Sequence, residues 1–193
     1  MVRIYLREHS THNAGYSFDK YFDLDNYSNS DELIIDLMEH TKEMINENNL
    51  DIKNFNLEEW LITDFELDTE YLTTYDISFD QYMSLDTLLL LNKLLNEDED
   101  NDFKLKYLLE NYKLHVALRE LENADLAYIE LENNSFQSEN YILGEYFVDY
   151  SEDFGLNIPE SIKYYIDYEK YGRDLAMDFT VYSFSNGKIV AFY

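Results

Sequence analysis

Val2-Arg3-Ile4-Tyr5-Leu6-Arg7 alternates apolar and polar residues with the period of two that a half-buried strand requires. Tyr21-Phe22-Asp23-Leu24 offers a second strand across the loop that contains Gly15. From Ser30, read as an N-cap ahead of Asp31 and Glu32, the period lengthens to that of a helix running to about Asn48. Leu33, Leu37 and Met44, with Ile34, Met38 and Ile45, mark its apolar side. Glu32, Asp36, Glu39, Glu43 and Glu47, three or four residues apart, form a carboxylate row on another face. In Glu59 to Asp68 the period returns to two, with Asp64, Glu66 and Asp68 on one side and Phe65 and Leu67 on the other.

Residues 1–80 therefore predict a small antiparallel-sheet-plus-helix N-terminal α+β domain. From Leu85 to Tyr112 the pattern is helical, with an acidic break between Leu95 and Phe103, and predicts a helical middle domain over 81–112. Residues 113–193 return to α+β. A strand is expected around Ala127 to Leu131, a helix from Ser138 to Tyr150 and further helices from Pro159. Asn186-Gly187, between two alternating runs, predicts a closing β-hairpin, because both residues tolerate positive φ. With one Pro and five Gly no flexible linker is expected, so the three domains should abut.

Charge changes the picture. Forty-one Asp and Glu face fourteen Lys and Arg, a formal charge of −27. A compact chain of this length is about 40 Å across, and 40 Å of duplex DNA carries roughly 24 negative charges. The protein thus matches the charge density of a nucleic acid. Such a surface repels phosphates and anionic membranes and attracts basic clefts, so neither direct nucleic-acid binding nor a membrane partner is expected. More than half of the excess sits in residues 1–80, where nineteen acids face five bases. Disorder does not follow from the charge, since 46% of residues are apolar and 17% aromatic.

Catalytic chemistry is poorly supported. There is no cysteine, which removes disulfides and thiolate ligands together. Asp98, Asp100 and Asp102 imitate the first positions of a calcium loop, but Phe103 stands where Gly must turn and Leu109 where a bidentate Glu is needed. His9 and His12 are close enough to share a metal, yet a loop pair without further ligands reads as a polar surface; His40 and His115 lack a nucleophile or orienting partner. No phosphate loop, dinucleotide fingerprint, zinc-protease motif or serine elbow occurs. Carboxylate pairs are uninformative among forty-one. No enzyme activity, cofactor or metal is expected. The charged N-terminus and the short apolar run Leu88 to Leu91 read as a soluble, cytoplasmic chain.

The stretch from Ile158-Pro159-Glu160 through Tyr165-Ile166-Asp167-Tyr168 to Tyr171-Gly172-Arg173-Asp174-Leu175 closely resembles the signature of the ArdA antirestriction family. Arg3-Ile4-Tyr5-Leu6, Asn13-Ala14-Gly15 and Lys20 to Leu24 resemble that family's first strand, turn and second strand, although Tyr21 stands where Trp is usual. Glu58 to Glu66 resembles its third strand. The resemblance implies an elongated three-domain homodimer that mimics DNA. Such a protein occupies the DNA-binding groove of type I restriction-modification enzymes, at their methyltransferase core, and is carried by mobile genetic elements. Glu169 and Arg173 have helical ion-pair spacing. The expected partner-binding carboxylates are Glu32, Asp36, Glu39, Glu43, Glu47, Asp64, Glu66, Asp68, Glu70, Glu97, Asp98, Asp100, Glu130, Glu132, Asp149, Glu152 and Asp153, acting collectively. Tyr164, Tyr165, Tyr168 and Tyr171 are the dimer-interface candidates, with core packing as their ordinary role. Two other readings are an acidic adaptor or sequestrant of basic nucleic-acid-binding proteins and, more remotely, a carboxylate-dependent hydrolase.

Overall fold

The computed structural model describes residues 1–133 and 137–193. It is mixed α+β and divides into two compact units, Met1–Ala124 and Asp125–Tyr193.

In the first unit, β1 (Val2–Glu8) is the centre of an antiparallel sheet, flanked by β2 (Lys20–Asp23) and β3 (Trp60–Leu67). The alternation of β1 places Val2, Ile4 and Leu6 in the core and Arg3 and Tyr5 on the other face. The regular alternation expected for β3 is broken. Tyr5 pairs with Asp64 but Leu6 with Ile62, so the strand bulges at Thr63. The extra residue lets Ile62 and Phe65, three apart, both reach the core. A short helix α1 (His9–Asn13) follows β1 where a loop was expected, capped by the buried Glu8, whose carboxylate accepts from the Ser10 and Thr11 amides at 2.8 and 2.6 Å. Helix α2 (Ser30–Glu47) is capped by Asn29 rather than Ser30. Asn29 is extended and its Oδ1 accepts from the Glu32 amide at 3.0 Å, so Ser30 is already helical. Leu33, Leu37, Thr41 and Ile45 are its buried side.

The helical segment comprises α3 (Leu85–Glu97), α4 (Asn101–Leu109) and, unforeseen in the sequence reading, α5 (Leu114–Asn123). All three lie in the first unit. Asn92 of α3, buried, joins it to the sheet: its Oδ1 accepts from the Val2 amide at 2.8 Å and its Nδ2 donates to Asp25 at 2.8 Å. Asp25 belongs to a 3-10 turn, Leu24–Asn26, that ends β2.

In the second unit, β6 (Lys188–Phe192) lies between β4 (Tyr128–Glu132) and β5 (Thr180–Ser183), all antiparallel. The hairpin forms, with a different turn from the two-residue one. The Gly187 amide donates to Phe184 O at 2.9 Å and only Gly187 has positive φ, +90°, which is a four-residue turn closed by a left-handed glycine. Helices α6 (Glu139–Asp149), α7 (Glu160–Lys163) and α8 (Tyr168–Leu175) complete the unit. Ile129, Leu131, Ile142, Leu143, Phe147, Ile189 and Ala191 form its core, with Tyr171 and Leu175 packed against it. Gly144 of α6 and Gly172 of α8 let the two backbones meet: a Cβ on Gly172 would lie 1.7 Å from Asn140 O, and one on Gly144 2.1 Å from Tyr168 O. The Gly in Tyr171-Gly172-Arg173 therefore has a packing reason.

Candidate acidic interface

Helix geometry decides which carboxylates are available. At 100° per residue, Glu32, Asp36, Glu39, Glu43 and Glu47 fall within an arc of about 80°, centred roughly 140° from the buried stripe. They are pushed to the far side of α2 because Leu33, Leu37 and Ile45 claim the core side. Their axial span is about 22 Å, one charge per ~5.6 Å. All but Asp36 are exposed. Glu32 also accepts from the Ser28 amide at 3.0 Å and stabilises the helix start. Asp36, half-buried, accepts from the Tyr27 hydroxyl, and burial together with that carboxylate pushes the phenol's pKa upward. Among the described residues, no Lys or Arg pairs with any of the five.

Elsewhere most of the cations pair with carboxylates of the protein itself. Glu66 pairs with Arg3, its cross-strand neighbour; Glu97 with Lys93 at 3.5 Å; Asp98 with Lys104 at 2.9 Å. Glu130 pairs with Lys188 at 2.9 Å and Asp149 with Lys163 at 3.7 Å. These five expected binding residues are thus partly neutralised. Asp64 is exposed on the outer sheet face, where Tyr21 Oη donates to it at 2.9 Å and the contact raises the phenol's pKa. Glu66 shares that face; Asp68 lies just past the end of β3 and is exposed. Glu70, Glu132, Glu152 and Asp153 are exposed, and Asp100 is half-buried at the start of α4.

The imitation calcium loop is pulled apart. Asp98 accepts from the Asp100 amide at 3.0 Å, and that bond with Lys104 holds its carboxyl below the usual range. Asp102 is buried and accepts from the Tyr71 and Phe103 amides at 3.0 and 2.7 Å; burial pushes its pKa up against those bonds. Among the described residues no group of His, Asp or Glu is arranged to hold a metal. Nor is any described helix long and apolar enough to cross a membrane.

The four tyrosines divide. Tyr168 meets Tyr141 edge-on at 5.3 Å between ring centres and Tyr171 packs on the core, whereas Tyr164 and Tyr165 are 91% and 87% exposed. Residues 164–167, which carry the two exposed rings, separate α7 from α8. Glu169 and Arg173 share α8, yet each has another partner: Glu169 accepts from Ser138 Oγ and from Asn140 Nδ2 at 3.2 Å, while Arg173 lies 3.9 Å from Asp174. Sequence reasoning also missed Tyr75 and Tyr82, 97% and 72% exposed. No periodicity marks them, since the loop that carries them has none.

The model of the ArdA antirestriction protein family matches residues 4–190. The chain belongs to that family. A search of curated proteins found no match. The match spans the segment between the two sequence resemblances. Family membership supports antirestriction as the function and restriction enzymes as the interacting class.

Proposed function

We propose that the protein inhibits a type I restriction-modification enzyme by lying in the DNA-binding groove of its methyltransferase core, with surface carboxylates standing in for phosphates. The observation that carries this is the α2 row: five carboxylates opposite a buried stripe, none paired with a Lys or Arg among the described residues, in a protein whose cations are mostly engaged elsewhere. A DNA strand presents one phosphate per about 3.4 Å of axis, so exposed carboxylates on other elements, Asp64, Asp68 and Glu70 among them, must add to the charge that the row presents. The protein acts as a homodimer through the exposed Tyr164 and Tyr165 beside Ile162. It has no affinity for DNA itself.

Competition on a labelled target duplex tests the reading. Near-stoichiometric protein should displace the DNA from the methyltransferase, with affinity falling by orders of magnitude between low and moderately high salt. A ternary complex, or binding indifferent to salt, refutes it. Light scattering that shows a monomer at micromolar concentration refutes the dimer alone.

A further inference from the structure

Residues 68–84, between β3 and α3, form a built loop. Leu72 and Ile77 are buried and anchor its middle. Between them Thr73 to Asp76 close a turn, the Asp76 amide donating to Thr73 O at 3.0 Å. The Thr73 amide and hydroxyl both donate to Asp76 Oδ2, at 2.7 and 2.8 Å. Lys106 of α4 donates to both Asp76 carboxylate oxygens at 3.0 Å. The turn is therefore tied within itself and to the helix beneath. At its third position stands Tyr75, 97% exposed, with no ring contact or hydrogen bond among the described residues.

An exposed apolar side chain is ordinary. A ring carried outward on a turn with this many fixed bonds is a different matter, because the backbone ordering that binding a loop normally demands has already been met in folding, leaving only the ring's own rotamers to fix. The ring offers a flat π face, and its hydroxyl donates and accepts at the edge. Those are the properties of a nucleobase. Methyltransferases extrude the target base into a pocket that stacks its faces and hydrogen-bonds its edge, after unstacking it from the duplex. A ring that is already outside a charged scaffold needs no unstacking. The same loop carries exposed Asp68, Glu70 and Asp80, so charge accompanies the ring as phosphates accompany a base.

We propose that Tyr75 enters the flipped-base pocket of the methyltransferase when the protein occupies its groove. This deepens the reading given above and rests on it. The experiment uses the full chain with the methyltransferase core. Base–aromatic stacking sets the scale of the expected loss, so Tyr75→Ala should weaken DNA displacement roughly five- to hundredfold, with the salt slope unchanged because no charge is lost. Tyr75→Trp should retain most of the affinity, and Tyr82→Ala, on the same loop, should lose little. A photo-crosslinking benzoylphenylalanine at position 75 should map to peptides lining the base pocket. Unchanged displacement by Tyr75→Ala, an equal loss in Tyr82→Ala, or crosslinks only outside the pocket each overturn this inference. Failure of the unmodified protein to displace DNA overturns the groove reading as well.

Discussion

Neutralising part of the α2 row should move stability and affinity in opposite directions. Glu39→Gln, Glu43→Gln and Glu47→Gln suit the test because all three are exposed, none accepts a hydrogen bond or ion pair among the described residues, and Glu32 and Asp36 keep their contacts. Adjacent charges on the row lie about 6 Å apart along the axis, where two unit charges in water repel by about 0.7 kcal/mol. Screening at physiological salt roughly halves this, which agrees with the ~0.2–0.5 kcal/mol measured for like-charged helix neighbours. The triple variant removes the repulsions 36/39, 39/43 and 43/47, worth about 1 kcal/mol. It also removes an anion from the last turn, where the helix dipole disfavours it by about 0.3–1 kcal/mol. The folded protein should gain about 1–2 kcal/mol, a rise in Tm of roughly 2–8 °C. Against a basic groove, each lost exposed pair forfeits about 0.2–1 kcal/mol, so affinity should fall roughly three- to 150-fold and its salt slope should flatten. Thermal melts and DNA displacement on one preparation read both. A more stable variant that still inhibits fully would make the row a plain solvated face. A less stable one would show that the carboxylates hold the fold, and would refute the electrostatic reasoning itself.

Gly172→Ala should loosen the second unit: its methyl would meet backbone at 1.7 Å, and backbone cannot swing aside, so the cost should be about 3 kcal/mol or more despite alanine's better helix propensity. Hydrogen exchange should then lose protection in α6 and α8, and parental protection would refute the close crossing. Burial opposes ionisation of Asp76, but hydrogen bonds from Thr73 and Lys106 prevail and hold its carboxyl below the ordinary range. A lowered folded pKa gives stability that is complete above the unfolded value of roughly 3.9 and is lost as pH falls through the folded one. Asp76→Asn should therefore cost about 1–3 kcal/mol at pH 7 and flatten the stability profile below about pH 4, as urea melts across pH would show; an unchanged acid limb would refute the assignment.

Where burial on one face decided the structure, the sequence displayed it. Val2, Ile4 and Leu6 alternate and are buried; Leu33, Leu37 and Ile45 recur at helical spacing and are buried. The misses fall where a neighbour in space decided. The bulge at Thr63 depends on the register between β1 and β3. Asn29 and Ser30 are both competent caps, and backbone direction chose between them. Gly144 and Gly172 are 28 positions apart and acquire meaning only where their helices cross. Helix α5 was legible in Leu114, Ala117, Leu118 and Leu121, spaced as one helix face, although the sequence reading carried the helical pattern only to Tyr112. Of the candidate site, the row itself was legible, since helical phase needs no tertiary information.

Which carboxylates remain charged toward a partner was not legible, because that is a question about the fourteen cations. A sequence counts both signs; only the fold shows that Arg3 sits across from Glu66, that Lys104 turns back to Asp98 and that Lys163 reaches Asp149. Each such pair withdraws a carboxylate from the outward field and leaves its neighbours relatively stronger. Over the ~22 Å of the α2 row, one DNA strand would present six or seven phosphates where the helix presents five charges. The shortfall is too small to disqualify the helix and too large for the helix to suffice. A groove built for DNA must then meet carboxylates from other elements, each worth little alone. Such a site resists single substitutions for the same reason that no motif announces it: its function lies in a sum of nearly equal terms, and no one residue type or spacing is required.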